Sequence, residues 1–437
     1  MENCIRIIPY VSGTDIGALL RSGSRRQEEN AEKSSMEIVE QIREKGDEAV
    51  LSCLRKFDNL ECTAEQLLVS EKEYELAEKQ ISPELAKAIG IAISNVRKFH
   101  QAQQVADIEV ETMPGVICRQ KSVPIEKVGL YVPGGTAPLF STVIMLAVPA
   151  KIAGCRKIIM CTPVNKNGVI APEVLYCAKR CGVDKVYKIG GAAAIGAMAF
   201  GTEHVERVYK IFGPGNSYVT AAKQYVSKAV CAIDMPAGPS EVMILADESA
   251  NPGFVAADFI SQLEHGPESQ AVLVTTSRGM AEKGAELFTE QTARLGRKGY
   301  ILESAKNSRI VLVGQKQDLT TVANEYAPEH LIISTENADE LAENIVNAGS
   351  IFIGNYTPES AGDYASGTNH TLPTGGWALS YSGVNLGSFT KRITLQKITR
   401  EGLVGLAPAI ERMASAEGLD GHKNAAAIRV SEIIGNK

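Results

Sequence analysis

The sequence predicts an α/β fold class: two doubly wound, Rossmann-like domains flanked by N-terminal and C-terminal helical extensions. Three observations carry that expectation. Strand-like and helix-like segments alternate from about Ile125, and the alternation resumes as a second series near Glu241. Glycine-rich turns stand where strands of the first series end, and the segments before and after the two series read as helical. At 437 residues the chain is also too long for one ordinary core.

The elements follow in order. Ser34-Ser-Met-Glu-Ile-Val-Glu-Gln-Ile-Arg-Glu-Lys45 has a serine start and apolar residues at helical spacing, continuing through Ala49-Val-Leu-Ser-Cys-Leu54. Ser82-Pro-Glu-Leu-Ala-Lys87 opens a further helix with Ser and Pro at its start. Val128-Gly-Leu-Tyr-Val132 is a strand, followed by the turn Pro133-Gly-Gly135 and a helix over 140–153. Then come Lys157-Ile-Ile-Met-Cys-Thr162, a helix through Tyr176, Lys185-Val-Tyr-Lys-Ile189, a small-residue helix around 195–200, and Val208-Tyr-Lys-Ile-Phe212. The second series holds Glu241-Val-Met-Ile-Leu-Ala246, Ala271-Val-Leu-Val-Thr275, Arg309-Ile-Val-Leu-Val313, Leu331-Ile-Ile-Ser334 and Ser350-Ile-Phe-Ile353. Strands alternating with helices bury a mainly parallel sheet on both faces, and the cleft between two such domains is the natural site. The tail beyond about Gly387 reads as mainly helical, over 402–415 and 423–434.

Composition excludes several classes. Hydrophobic content of 44% and charged content of 22% are globular values. A net charge of -6, with no Lys/Arg cluster interleaved with aromatics, argues against nucleic acid as a partner. The longest apolar runs, such as Val143-Ile-Met-Leu-Ala-Val-Pro149, fall short of a membrane span. Met1-Glu-Asn-Cys-Ile-Arg6 lacks signal- and transit-peptide character, so a cytoplasmic protein is expected. Nine cysteines, scattered from Cys4 to Cys231, fit reduced thiols. Cys177 and Cys181 stand four apart, but no second pair or nearby histidine completes a metal set.

The chemistry concentrates in a few segments. Gln262 and His265, in Ser261-Gln-Leu-Glu-His-Gly-Pro-Glu-Ser-Gln270, stand three residues apart where a helix stops at Gly266-Pro267, so both can face one ion. Further ligand types follow at Asp363, in Glu359-Ser-Ala-Gly-Asp-Tyr-Ala-Ser-Gly-Thr-Asn-His370, and at Glu417 and His422, in Ala416-Glu-Gly-Leu-Asp-Gly-His422. Imidazole and carboxylate suit Zn²⁺, with the Gln262 amide oxygen an unusual but workable ligand. Glu329-His330 follows Pro328, which points to a fixed turn. Two readings stand there: a histidine base beside a water-activating acid, or a helix-end imidazolium facing a dipole.

Tyr131-Val-Pro-Gly-Gly135, Gly190-Gly-Ala192 and Phe212-Gly-Pro-Gly-Asn216 suit backbone approach to a nucleotide phosphate, although tight βα turns use glycine anyway and none fits a standard dinucleotide or Walker pattern. Asp234-Met-Pro-Ala-Gly-Pro-Ser240 joins the two series, and Ser240 there is either a substrate contact or a cap on a stiff linker.

Together these segments resemble the histidinol dehydrogenase family over nearly the whole chain, in six stretches in the family's order: Tyr131-Val-Pro-Gly-Gly135, Phe212-Gly-Pro-Gly-Asn216, Asp234-Met-Pro-Ala-Gly-Pro-Ser240, Glu264-His-Gly-Pro-Glu-Ser-Gln270, Ala327-Pro-Glu-His330 and Ser360-Ala-Gly-Asp-Tyr-Ala-Ser-Gly-Thr-Asn-His370. The resemblance implies oxidation of L-histidinol to L-histidine with two NAD⁺, through an enzyme-held aldehyde and its hydrate. It implies one zinc per subunit on Gln262, His265, Asp363 and His422. His330 would be the base, and Glu329 would activate the water that hydrates the aldehyde. Ser240, His370 and Glu417 would hold the substrate along with the metal ligands and His330, and Glu359 would help read its imidazole and amine. Tyr131 and Asn216 would contact NAD; at Ala193 the family usually has a glutamine that does so, and alanine cannot. The family is an intertwined homodimer, so Glu417 and His422 would complete the partner's site. The implied domains are a 1–26 extension, a metal-bearing α/β domain over 27–130 and 241–386, an NAD-binding domain over 131–240, and a C-terminal segment over 387–437. Alternatives are a relative oxidising another small alcohol, such as a sulfonated diol, or a zinc hydrolase using Glu329.

Overall fold

A computed structural model describes residues 5–20, 25–134, 138–228 and 230–435. Gly135 of the first glycine turn, Cys4, and residues 21–24 of the expected extension lie outside the described residues. The chain forms two compact units: residues 1–103 with 125–389, and residues 104–124 with 390–437.

The first unit is an α/β structure containing two parallel sheets. One has six strands in the spatial order Arg6–Pro9, Arg309–Leu312, Gln270–Thr275, Glu241–Ala246, His330–Ser334, Ser350–Ile353. All its pairings are parallel. The other has five, in the order Lys185–Tyr187, Lys157–Cys161, Lys127–Tyr131, Lys210–Phe212, Ala232–Ile233, again all parallel. In both, the chain lays strands outward on one side of a central strand and then returns to its other side. That places a reversal of strand order beside Glu241–Ala246 in one sheet and beside Lys127–Tyr131 in the other.

Successive side chains on a strand point to opposite faces, and both faces here are apolar and covered. Val242 and Ile244 pack with Phe259, Leu263 and Phe288, while Met243 and Leu245 pack with Leu319, Val322 and Tyr326. In the five-stranded sheet Val128, Leu130, Ile158 and Met160 share a core with the helix Phe140–Ala153. On the opposite face Tyr131, Ile159 and Tyr187 meet the small-residue helix Gly191–Phe200. This is why the central strands read as continuous apolar runs.

Besides the two-residue strand Ala232–Ile233, four strands lie where the sequence suggests none. Arg6–Pro9 adds a parallel edge strand to the six-stranded sheet. The second unit carries an antiparallel sheet of Thr390–Ile398, Val116–Pro124 and Ile108–Met113. The tail from residue 387 therefore contains a nine-residue strand as well as the helices Arg400–Ala416 and Asp420–Gly435. Apolar residues of the second unit are poorly covered: Ile108, Val110, Ile393, Leu395, Met413, Ile428 and Ile434 are all exposed. No described helix is long and apolar enough to cross a membrane.

Candidate active site

Residues 234–240 carry the chain from the carboxyl edge of the five-stranded sheet to Glu241, the first residue of the central six-stranded strand. The glycine turns of one sheet thus share a connection with the amino edge of the other. The helix Pro252–Leu263 follows, capped by Asn251, whose side chain accepts from Gly253 N–H. Gln262 lies in its last turn, completely buried, and His265 just beyond its end, partly exposed. The six-residue helix Glu359–Tyr364 presents Glu359 and Asp363 one turn apart on a single face.

His330 opens the strand His330–Ser334 beside Val242. Just before it, Ala327 ends the helix Lys316–Tyr326 in the left-handed region at φ 51. That conformation costs a non-glycine residue about 1–2 kcal/mol, and Pro328 follows it. The local bend fixes where Glu329 and His330 emerge, so the turn expected from Pro328 is present.

These elements converge. His330 Nε2 lies 3.6 Å from Asp363 Oδ1, and His330 Nδ1 lies 3.6 Å from both Glu329 Oε2 and Glu359 Oε1. His265 Nε2 stands 4.0 Å from Asp363 Oδ2. His370 Nδ1 is 2.9 Å from the Asp363 carbonyl, and its Nε2 is 3.2 Å from Thr142 Oγ1. Both ring nitrogens of His370 therefore have protein partners. The Gln262 amide, oriented to satisfy its neighbours, donates to both oxygens of Glu359 and accepts from Glu241 N–H.

Electrostatics follow from packing so many charges out of water. Burial raises the Glu329 carboxyl to about 8, against the opposing pull of His330. Burial would lower the His330 imidazole, but Glu329, Glu359 and Asp363 outweigh it and raise the group to about 10. That departs from the ordinary histidine value. Burial also raises Glu359, whereas Asp363 is held low despite burial by the facing His330 and by His370 and His265.

The donor set suits a divalent cation. Ligand atoms of His265, Glu359 and Asp363 all lie within 4.8 Å of one another. His330 Nε2 is buried beside them and has no hydrogen-bond partner among the described residues. Nitrogen and carboxylate oxygen without thiolate is a zinc-type or manganese-type set. Glu359 belongs to this geometry, although the sequence marked it only as a reader of substrate. Glu241 carried no signal at all.

The glycine turns gather at the carboxyl edge of the five-stranded sheet. The buried Tyr131 hydroxyl accepts from Gly191 N–H at 3.1 Å, tying two of them together. Gly213 sits at φ 128, where a Cβ would strike the Tyr131 carbonyl. Asp234 accepts from Gly213 N–H at 2.7 Å, and Lys223 donates to its carbonyl at 2.8 Å. Lys223 and Asp234 also form a buried ion pair. Gly191, at φ 60, opens the ten-residue helix Gly191–Phe200, and a Cβ there would meet nothing within 4 Å. That open space at a helix N-terminus suits a phosphate of a dinucleotide. Asn216 is exposed and caps the helix Ser217–Ser227 through Val219 N–H, while Ala193 is only 5% exposed. Ser240 is half-buried, one residue before Glu241.

Gln262, His265, Glu329, His330, Asp363 and His370 are thus brought together within the first unit. Glu417 and His422 belong to the second, at the end of Arg400–Ala416 and in the first turn of Asp420–Gly435, and both are exposed.

The sequence profile of histidinol dehydrogenase matches residues 21–430. The chain belongs to the histidinol dehydrogenase family. It is 56% identical over 396 residues to a histidinol dehydrogenase of Bacteroides thetaiotaomicron, covering 91% of this chain and 92% of that one. With the Escherichia coli histidinol dehydrogenase it shares 48% identity over 407 residues, or 93% and 92% of the two chains. The crystal structure of histidinol dehydrogenase from Elizabethkingia anophelis superposes with a TM-score of 0.93 at 43% identity, covering 99% of each chain. As a member of the histidinol dehydrogenase family the chain is an oxidoreductase, and its α/β fold with parallel sheets is the fold of that relative.

Proposed function

We propose that this chain oxidises L-histidinol to L-histidine through L-histidinaldehyde and its hydrate, a late part of histidine biosynthesis, in the cytoplasm. The reading rests on family membership together with one observation: a buried acid–imidazole pair, Glu329-His330, whose free imidazole nitrogen faces a His/Asp/Glu donor set. Each of the two oxidations removes two electrons and a proton as hydride to one NAD⁺, and water supplies the second oxygen of the carboxylate.

His330 is the base. Its Nδ1 is surrounded by oxygens of Glu241, Glu329 and Glu359, so in the neutral imidazole the proton sits there and Nε2 keeps the lone pair; the facing carboxylates favour the imidazolium, so Nε2 must lose its proton before it acts as base. Nε2 takes the alcohol proton as hydride leaves, and later the hydrate proton. Glu329, whose burial makes its carboxylate a stronger base once ionised, accepts in that form the proton of the water that adds to the aldehyde. Gln262, His265, Asp363 and, from a second copy of the chain, His422 would hold zinc. Zinc, when bound, would orient the alcohol, amine and imidazole of the substrate as a Lewis acid. Ser240, Glu359, His370 and Glu417 would surround the substrate. The turns at Tyr131, Gly191 and Asn216 would bind NAD⁺, with Ala193 beside it, on what we read as the second of two doubly wound, Rossmann-like domains. The exposed apolar side chains of the second unit support a homodimer in which that unit packs on the partner.

The test is NADH formation from L-histidinol with zinc-loaded protein, before and after chelation. Turnover that disappears on chelation and returns with zinc is expected. No NADH from loaded protein would sink the substrate assignment, and full turnover after complete metal removal would sink the zinc.

A further inference from the structure

We propose that Glu241 is a positioning residue for the acid–base pair, an inference that rests on the function just proposed. Its main chain touches both members. Glu241 N–H donates to Glu329 Oε2 at 2.8 Å, and Glu241 C=O lies 3.3 Å from His330 Nδ1. The same N–H meets the Gln262 amide oxygen at 3.3 Å. One peptide segment therefore sets where the Glu329 carboxylate sits, which nitrogen of His330 carries the proton, and how Gln262 is turned.

The carboxylate of Glu241 holds that segment still. It is buried, and its two oxygens reach different parts of the chain: Oε1 accepts from Gly375 N–H at 3.1 Å, and Oε2 lies 3.0 Å from the Tyr326 hydroxyl, which also lies 2.6 Å from Gln270 Oε1. Tyr326 is fully buried and is the last residue of its helix, directly before the left-handed Ala327 that aims Glu329 and His330. Gly375, at φ 61, starts the turn after Thr374. Glu241 thus joins the start of the central strand to the helix end that delivers the catalytic pair. Its side chain points to these anchors, so its effect on the reaction passes through Glu329 and His330.

The test uses the full-length, zinc-loaded enzyme with Glu241→Ala, Glu241→Gln and Tyr326→Phe. Displacing a catalytic group by about 1 Å can cost on the order of 10²-fold. Glu241→Ala is therefore expected to lower kcat roughly 10- to 100-fold, with KM for NAD⁺ within about threefold, because the cofactor turns lie elsewhere. The acid limb of its pH–kcat profile should move, since the surroundings of His330 change. Glu241→Gln keeps an oxygen for Gly375 N–H and should recover most of the rate. Tyr326→Phe, a mild change if Glu241→Ala folds poorly, should lower kcat roughly 2- to 10-fold. Crystal structures of wild type and variants give a readout independent of substrate, in which Glu329 and His330 should shift in Glu241→Ala. Unmoved side chains with kcat within about threefold of wild type and an unchanged pH profile would overturn the proposal. If the wild-type enzyme fails to oxidise histidinol, the substrate assignment falls, while the crystallographic comparison still decides the positioning role.

Discussion

His330 shows how far a residue's surroundings move its chemistry. From the sequence its base strength would be that of an ordinary imidazole, near ~6.5; three facing carboxylates lift it to about 10. Glu329 rises to about 8 because it is buried. The consequence for the metal-free protein has a definite sign. A group whose folded pKa lies above its unfolded value stabilises the fold below the unfolded pKa, and that contribution is lost as pH rises through the folded pKa. For Glu329 the loss runs from the ordinary carboxyl range up to about 8, and for His330 from the ordinary imidazole range up to about 10. Thermal midpoints of the metal-free protein should therefore fall between pH 6 and pH 9, and more steeply in wild type than in Glu329→Gln. Equal slopes would refute the buried-acid account. In the holoenzyme, His330→Ala should slow oxidation roughly 10²- to 10⁴-fold with zinc retained, whereas Glu329→Gln should impair mainly the aldehyde-to-acid half, seen as accumulated aldehyde. At this scale the convergence of His265, Asp363 and His330 was legible because metal-binding and basic side chains stood in glycine- and proline-rich segments. Glu241 was not, since an acid opening an apolar strand reads as a solvent-facing end.

Elements were legible where their period was long and their apolar content high. The strands Glu241–Ala246 and Gln270–Thr275 are buried on both faces, which gives an unbroken apolar run. Thr390–Ile398 alternates Ile393 and Leu395 with Thr394 and Gln396, a period-two signal. It sits just ahead of two helices, and the helical reading of the tail absorbed it. Arg6–Pro9 is only four residues, too short to stand out. The helix Gly191–Phe200 carries a prediction of its own. A side-chain hydrogen bond contributes about 0.5–1.5 kcal/mol net, so a missing glutamine contact at Ala193 could weaken NAD⁺ binding up to roughly tenfold. Yet Ala193 is only 5% exposed and belongs to the core shared with Ile195, Met198 and Ile42. So closely packed a position leaves no vacant space for a longer side chain. Ala193→Gln is expected to lower the thermal midpoint by overpacking, at a cost of about 1–3 kcal/mol, without tightening NAD⁺. Calorimetric titration giving tighter NAD⁺ binding at an unchanged midpoint would reverse that conclusion.

At the scale of the whole molecule, the parallel α/β architecture followed from the order of strand-like and helix-like segments, because the chain must cover both faces of each sheet. Assembly is harder to read, since a residue that serves another copy looks like any surface residue in its own chain. Glu417 and His422 are exposed in the second unit, beside side chains such as Met413 and Ile428 that are apolar yet uncovered. A lone chain gains nothing from exposing them, and a dimer that buries them gains hydrophobic stabilisation. If the partner's His422 completes the zinc set of His265 and Asp363, His265→Ala and His422→Ala chains should each lose zinc and turnover when pure. After confirmed subunit exchange, a mixed dimer has one site with both lesions and one with neither. About half of the wild-type zinc and turnover per mixed dimer should return, following the one-intact-site count that a two-fold interface imposes. Zinc analysis of the purified heterodimer reads this without reference to substrate. No recovery of zinc in a confirmed heterodimer would mean that His265 and His422 serve the same site from one chain, and pure His422→Ala protein with full zinc would show that His422 is no ligand.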